Sequence, residues 1–219
     1  MWFYCLSALL NNVGGNYNNA AAFYDALSSV VFASAIKNAQ IYLLQFIPTG
    51  SKILIAGGGT GWILDELTKL HPTGLHITYV EISAKMLTLS QKRNTGGNNV
   101  TFINAAIENV ELANDFDVVI TPFLFDNFSD ATAKKIFLHL NHTLKPDGLW
   151  LFVDFELNGK WWQPLLLKTM HLFFRLLCGI EASRLPDVKS LFVAERYSVH
   201  QSKAFFGDFI KATAYRRSI

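Results

Sequence analysis

The chain has 219 residues and a formal net charge of +2, with 51% hydrophobic and only 16% charged residues. This composition indicates a globular domain with a sizeable core and excludes a disordered or fibrous chain. Because there is no basic excess to neutralise phosphates, we expect no nucleic-acid partner.

Cysteine content and hydropathy predict the compartment. Cys5 and Cys178 are far apart and form no CxxC motif, so we expect neither a disulfide framework nor a structural zinc site. The histidines show no metal-ligand clustering, and we expect no metal. The apolar N-terminus carries no Lys or Arg before Lys37, unlike a signal peptide, and polar residues interrupt the apolar stretch 161–180. We therefore expect a cytoplasmic protein that does not span a membrane.

From Ser51 onward, short apolar runs alternate with longer helical patterns, which predicts an α/β fold with a parallel sheet. Five strands in this order predict a doubly wound sheet. They are Lys52–Ala56, Leu75–Glu81, Val100–Asn104, Phe116–Thr121 and Leu149–Phe155. Helices are predicted over Trp62–Leu70, from the N-cap Ser83 to Arg93, and from Ser129 or Asp130 to about His142. Turns are predicted at Gly96-Gly97-Asn98 and Pro146-Asp147-Gly148.

The C-terminal part differs from this alternation. A long apolar helix is predicted from about Trp161 to Cys178, with a short helix after Pro186. Gly207-Asp208 is a two-residue connection between two late strands and suits a β-hairpin, with strands at Tyr197–Phe206 and Phe209–Tyr215. We predict a single domain with a helical cap over 1–50, a ligand-binding core over 51–156, a helical insertion over 157–196 and the hairpin over 197–219.

The strongest motif is the glycine loop Gly57–Gly61, which follows a strand and opens a helix. Glycines let the backbone approach a ligand closely, and the helix N-terminus offers unpaired amides. Trp62 stands where a dinucleotide fingerprint needs its third glycine, which disfavours a nicotinamide enzyme. Glu81 ends the second predicted strand, where an acid can bind both hydroxyls of a ribose. A tight turn beside a solvated carboxylate is the alternative, but the joint arrangement favours an adenosyl site.

The sequence resembles the class I S-adenosylmethionine-dependent methyltransferases. Five segments carry the resemblance, in the family's order and spacing: Ile53–Gly61, Tyr79–Ser83 with Met86-Leu87, Val100–Glu108, Phe116–Phe125 and Leu144–Leu149. The resemblance implies methyl transfer from S-adenosyl-L-methionine on a mostly parallel, seven-stranded Rossmann-like sheet with an antiparallel C-terminal hairpin strand. It also implies that the cofactor lies across the carboxyl ends of the first, second and fourth strands, as in other open α/β sheets.

The resemblance also implies the cofactor-binding residues. They are Ala56, Gly57, Gly58, Gly59, Gly61, Glu81, Ile82, Met86, Ala106, Ile107, Thr121 and Tyr17. Tyr17 and Tyr24 fall in a region that resembles the cap of small-molecule members. Ile55 and Ala106 stand where the family often places acids, so each position lacks one polar anchor. A non-catalytic protein that binds the same cofactor, or a partner, on this fold is therefore the alternative function.

The segment 121–125, which reads Thr-Pro-Phe-Leu-Phe, predicts an apolar acceptor site. Gly57-Gly58-Gly59 also resembles the loop of aminopropyltransferases, but those enzymes bind polyamines with several acids in this region, and here only Asp126 is acidic. We therefore expect a small apolar or aromatic acceptor. The predicted contacts to it are Tyr24, Phe123, Phe125, Trp162, Met170 and Arg184.

Methyl transfer depends mainly on orientation, which can contribute ~7–11 kcal/mol. If the acceptor is a hydroxyl, Asp126 or His171 could take its proton, although Asp126 equally suits a helix cap. Lys168, His171 and Arg175 are spaced to share one helix face. That face predicts a solvated basic surface, a lid over the acceptor, or peripheral contact with an anionic membrane.

Overall fold

The computed structural model describes residues 32, 34–178, 182 and 184–217. Within them, six helices are described: α1 (Ala35–Leu44), α2 (Trp62–Leu70), α3 (Ala84–Ser90), α4 (Asp130–Thr143), α5 (Trp162–Cys178) and α6 (Val188–Ala194). The strands of the same part of the chain are β1 (Lys52–Ala56), β2 (Thr73–Val80), β3 (Gly97–Ile103), β4 (Phe116–Pro122), β5 (Leu144–Phe155), β6 (Tyr197–Phe205) and β7 (Ile210–Arg217).

The seven strands form one sheet in the order β3-β2-β1-β4-β5-β7-β6. The first five run parallel, and β7 pairs antiparallel with both β5 and β6. This confirms the predicted doubly wound, mostly parallel seven-stranded sheet with an antiparallel C-terminal hairpin. The chain order reverses direction between β1 and β4, and ligands of open α/β sheets bind beyond the carboxyl ends of the strands at such a point.

Both faces of the sheet are covered, which explains why β1 is a continuous apolar run. Because successive side chains of a strand point to opposite faces, Ile53 and Ile55 belong to one core while Leu54 and Ala56 belong to the other. The first core includes residues of α1 and α2, and the second includes residues of α4 and α6. The two cores fix β1 between them and so fix the loop that follows it.

An aromatic cluster anchors β5 and β7 to the helices of the second core. Trp150 stacks on Phe137 at a centroid distance of 4.8 Å, and Phe192 stacks on Tyr215 at 3.8 Å. Phe192 also meets Trp150 edge-on at 5.1 Å. The indole Nε1 of Trp150 donates to Thr121 Oγ1 at 2.9 Å, which ties β5 to β4 inside the core.

Element boundaries differ from the predictions at three turns. The turn predicted at Pro146-Asp147-Gly148 lies inside β5 as a distortion, in which Asp147 has φ +61°. The turn predicted at Gly96-Gly97-Asn98 ends earlier than predicted, because β3 begins at Gly97, which pairs with Thr73 of β2. The hairpin connection spans four residues, 206–209, rather than two, since Phe206, Gly207 and Asp208 all adopt positive φ and leave the ladder.

The polar residues of helix α5 do not all lie on one exposed face, in contrast to the prediction. Lys168 and Arg175 are exposed, but His171 is only 6% exposed, so the expected three-residue basic face was wrong for His171. Its position turns inward with Leu167, which is also buried. The exposed side of this part of the chain also carries large apolar side chains: Trp161, Leu165 and Leu172. Within the described residues, no helix combines the length and the apolar character that a bilayer span requires.

Replacement of Phe192 by alanine tests the aromatic cluster. Phe192 is 1% exposed and contacts five aromatic rings, so F192A is expected to lower the free energy of unfolding by about 3–5 kcal/mol. The adjacent Val193 is 76% exposed, and V193A is expected to stay within about 0.5 kcal/mol of the parent. Urea denaturation of both variants checks this, and equal losses would contradict the described packing.

Candidate active site

The glycine loop Gly57–Gly61 leaves the carboxyl end of β1 and leads directly into α2. Gly57, Gly59 and Gly61 have φ of +70°, +64° and +78°, a region that favours glycine. Gly58 meets a different constraint, because a Cβ there would lie 2.3 Å from Tyr79 Cζ. The loop therefore lies in direct contact with the aromatic ring of β2.

The loop also touches the segment that follows β4. A Cβ on Gly57 would lie 2.9 Å from Leu124 Cδ1. The amide of Gly57 donates to Val80 O at 2.9 Å, and the hydroxyl of Tyr79 donates to Gly59 O at 3.0 Å. The strand ends of β1, β2 and β4 are thus packed into one surface around the loop.

Glu81 follows β2 and holds this surface together. Its Oε2 accepts from Gly59 N at 2.9 Å and its Oε1 accepts from Ser83 N at 2.8 Å. The residue is 5% exposed, and this burial raises the pKa of Glu81, while the backbone N–H groups of Ser83 and Gly59 lower it in part. A carboxylate offers about four lone-pair sites and the backbone N–H of Ile82 also acts on this one, so Glu81 keeps acceptor capacity for a hydroxyl hydrogen. This acceptor fits the ribose of an adenosyl cofactor.

The remaining residues predicted to bind the cofactor lie around the same edge or within it. Ala56 is buried at the end of β1, and Ile82 is half-buried beside Glu81. Met86 is buried in α3, where its amide donates to the helix cap Ser83. Ala106 and Ile107 begin a short 3-10 turn after β3.

Two of the predicted contacts have other surroundings. Thr121 lies at the end of β4, but its hydroxyl accepts from Trp150 within the core, so only its backbone faces this edge. Tyr17 lies outside the described residues, as do Tyr24 and most of the predicted cap.

A cavity of about 250 Å³ opens at the carboxyl end of β5, and we call it the β5 cavity. Seven of its twelve lining residues are apolar: Phe125, Phe152, Phe155, Leu157, Leu185, Pro186 and Val188. The others are charged: Asp154, Glu156, Asp187, Lys189 and Lys211. Phe125 directly follows Leu124, which touches Gly57 of the glycine loop, so the cavity and the loop are neighbours along one edge of the sheet.

The buried Asp154 and the half-buried Asp126 form a carboxyl pair beside this cavity. Asp154 is 5% exposed and its Oδ1 accepts from Phe155 N at 2.8 Å. Burial raises the pKa of Asp154 to about 7, and backbone N–H groups of Phe155, Asp126 and Phe125 oppose that rise. Burial also raises the pKa of Asp126 well above its ordinary value, and the charge of Asp154 adds to this effect. The two carboxyl groups therefore cannot both ionise easily.

The structure brings only some of the predicted acceptor and catalytic residues to this cavity. Phe125 lines the cavity. Phe123 does not line it, but its ring centroid lies 4.9 Å from that of Phe155, which does. Four residues of the helical insertion were predicted to contact the acceptor or to take its proton. None of them is among the described residues that line the cavity. Trp162 packs edge-on against Phe206 at 5.8 Å, Met170 packs against the first core, His171 is buried in α5, and Arg184 pairs with Asp130.

Sequence reasoning missed Asp154. It lies within the predicted apolar strand Leu149–Phe155, one residue before the end. The signal that selected Glu81, an acid at the carboxyl end of a buried parallel strand, applies equally to Asp154 and would have found it. Within the described residues, no group of three or more metal-ligating side chains is present.

The chain matches the model of the methyltransferase domain family over residues 53–148. Over 142 residues it is 33% identical to malonyl-[acyl-carrier protein] O-methyltransferase of Bacillus cereus. The aligned region covers 64% of this chain and 51% of that protein. The chain thus spans about half the length of this curated relative.

Two solved structures show the same fold. The 1,6-didemethyltoxoflavin-N1-methyltransferase of Burkholderia thailandensis, solved with S-adenosylhomocysteine, superposes with a TM-score of 0.65 at 14% identity, covering 94% of this chain and 88% of that one. The magnesium protoporphyrin IX methyltransferase of Synechocystis PCC 6803 gives 0.62 at 17% identity, over 84% and 82% of the two chains.

The family model covers the glycine loop and Glu81, and the solved structures share the seven-stranded architecture. The resemblance predicted from the sequence is confirmed by these matches. Residues 53–148 are thus similar to the methyltransferase domain family, in agreement with the predicted resemblance to the class I S-adenosylmethionine-dependent methyltransferases.

Proposed function

We propose that this protein transfers a methyl group from S-adenosyl-L-methionine to a small apolar or aromatic acceptor. The observation that carries the proposal is the Glu81 carboxylate, which is buried against the glycine loop and keeps acceptor capacity for a ribose hydroxyl. The match to the methyltransferase domain family supports the cofactor. The cytoplasmic location stays a prediction from the cysteine content.

The residues that would hold the cofactor are fixed by backbone structure more than by side chains. Glu81 would accept the ribose hydroxyls, and the backbone of Gly57–Gly61 would contact the adjoining part of the cofactor. Ala106 and Ile107 would lie beside the adenine, where Ala106 offers no acid. When bound, the cofactor supplies a methyl group already activated on its sulfonium sulfur, so the protein's main tasks are to orient the acceptor and exclude water.

The β5 cavity supports an apolar or aromatic acceptor. An apolar cavity of about 150 Å³ holds benzene, so a volume of about 250 Å³ is enough for one substituted ring. Phe125, Phe152 and Phe155 offer ring surfaces that favour edge or offset stacking. The contact between Gly57 and Leu124 keeps the cavity close to the loop, as methyl transfer between two bound molecules requires.

The relatives favour a second candidate, methylation of a carboxylate carried on a protein thioester. The Bacillus cereus relative is named for the malonyl acyl-carrier protein. In the β5 cavity, Lys189 is engaged by Glu156 at 2.5 Å, while Lys211 lines the wall without a described ion pair. Lys211 is thus a described cation that could meet a carboxylate there.

Replacement of Glu81 by glutamine is expected to weaken the binding of S-adenosylmethionine at least tenfold. The substitution converts one oxygen into a donor that faces the N–H of Gly59 or Ser83, and it removes a charged acceptor worth about 1.5–3 kcal/mol. Calorimetric titration measures the effect. E66Q, which removes the charge of a half-buried acid paired with the exposed Lys69 on α2, is the matched control and is expected to leave affinity unchanged.

The acceptor class is tested by transfer of a labelled methyl group to phenols and aromatic amines, in parallel with a malonyl thioester on a carrier protein. We expect labelled product from the aromatic set. Product from the thioester alone would select the second candidate. Cofactor binding without any product would instead select the non-catalytic binding protein on this fold.

A further inference from the structure

We propose that Asp126 and Asp154 act as a carboxyl pair that binds the O–H or N–H group of an aromatic acceptor in the β5 cavity and takes its proton. The inference rests on the proposed function and names the acceptor class more narrowly. It assigns a role to Asp154, which lines the cavity, and gives Asp126 a partner for the role predicted from the sequence.

The geometry joins the two acids through the turn after β4. The amide of Phe123 donates to Val153 O at 2.8 Å, and the ring of Phe125 lies 5.9 Å from that of Phe152, so the turn packs against the end of β5. Asn127 Nδ2 donates to Asp126 Oδ1 at 2.8 Å, which orients the second carboxyl group. Phe125 and Asp154 both line the cavity, and Asp126 directly follows Phe125. The pair therefore lies at an apolar part of the cavity wall.

Near neutral pH the pair carries between zero and one negative charge, because burial raises the pKa of Asp154 to about 7 and raises that of Asp126 well above its ordinary value. Lys211 on β7 is the cross-strand partner of Asp154, while Glu156, which directly follows β5, is paired with Lys189 of α6. Asp187 caps α6 by accepting from Ser190 N at 3.2 Å. Like charges packed together ionise one at a time, so one carboxylate accepts while its partner stays protonated.

This state suits an acceptor that must lose a proton. The acceptor's O–H or N–H bond breaks as the ionised carboxylate forms a new O–H bond. The electron pair left on the acceptor atom bonds to the methyl carbon, and the electrons of the broken carbon–sulfur bond stay on sulfur. The proton then leaves the pair for water when the product departs, which restores the single charge. A base is most effective when its pKa lies near the working pH.

A carboxylate acceptor gains nothing from such a base. It is already ionised at neutral pH, and a negative charge on the pair would oppose its binding beside Asp154. The pair therefore favours phenols, enols and heteroaromatic N–H groups over carboxylic acids.

Binding of phenol and benzoate separates these classes. Ligand-observed NMR at pH 7, with and without S-adenosylhomocysteine, is expected to show phenol bound at least tenfold more tightly than benzoate. Because Asn keeps the shape of Asp but removes its charge, D154N and D126N are each expected to reduce this preference about tenfold. D115N, which removes the charge of a half-exposed acid paired with Lys52 just before the amino end of β4, serves as the control and should preserve the preference.

Equal affinities for phenol and benzoate, a preference unchanged in both variants, or no binding of phenol would each overturn the carboxyl pair proposal. Failure of S-adenosylhomocysteine to bind would instead overturn the proposed function. The two failures are therefore distinguishable in the same titration series.

The pH dependence of stability gives a second readout. Between pH 4 and about 7, folded Asp154 keeps a proton that the unfolded chain releases, so the free energy of unfolding falls as pH rises through this window and stays lower above it. D154N is expected to flatten that fall between pH 5 and 8, as measured by urea denaturation. If parent and D154N lose stability in parallel across this range, the pair does not hold the proton.

Discussion

The bond from Gly59 N to the Glu81 carboxylate is the interaction on which the site depends. It joins the loop after β1 to the end of β2, while the second oxygen of the same carboxylate fixes Ser83, the cap of α3. A buried carboxylate is costly unless its oxygens are satisfied, and here backbone donors satisfy it. The group that stabilises the folded loop is the same one proposed to accept a ribose hydroxyl, so the proposed binding surface needs no rearrangement of the loop.

The sequence predicts this half of the site well because its signals are local. The run Lys52–Ala56, the glycines after it and the helix Trp62–Leu70 lie where the pattern predicts them, and Ser83 caps its helix as expected. Each depends on neighbours within a few residues. The turns were less predictable. Positive φ at Phe206 and Asp208, and the distortion at Asp147 inside β5, depend on strand pairing that a local pattern does not reveal.

The other half of the site depends on distant contacts. Asp154 reads as one polar residue in an apolar strand, and only the packing of the turn after β4 brings Asp126 beside it. His171 shares helical spacing with Lys168 and Arg175, yet the way α5 packs on the core buries it and leaves the cations exposed. Periodicity gives the angle of a residue around its helix, but the neighbouring elements decide where the boundary between core and solvent falls.

Gly58 and Tyr79 have a consequence for how this site can change over evolution. No room exists for a side chain at 58 while an aromatic ring stands at 79, since the added carbon would lie 2.3 Å from the ring. Loss of the ring would in turn remove the hydroxyl that donates to Gly59 O. A substitution at either position alone would therefore disturb the loop. Among homologous sequences, a larger residue at the first position should accompany a smaller one at the second, so the two positions should vary together.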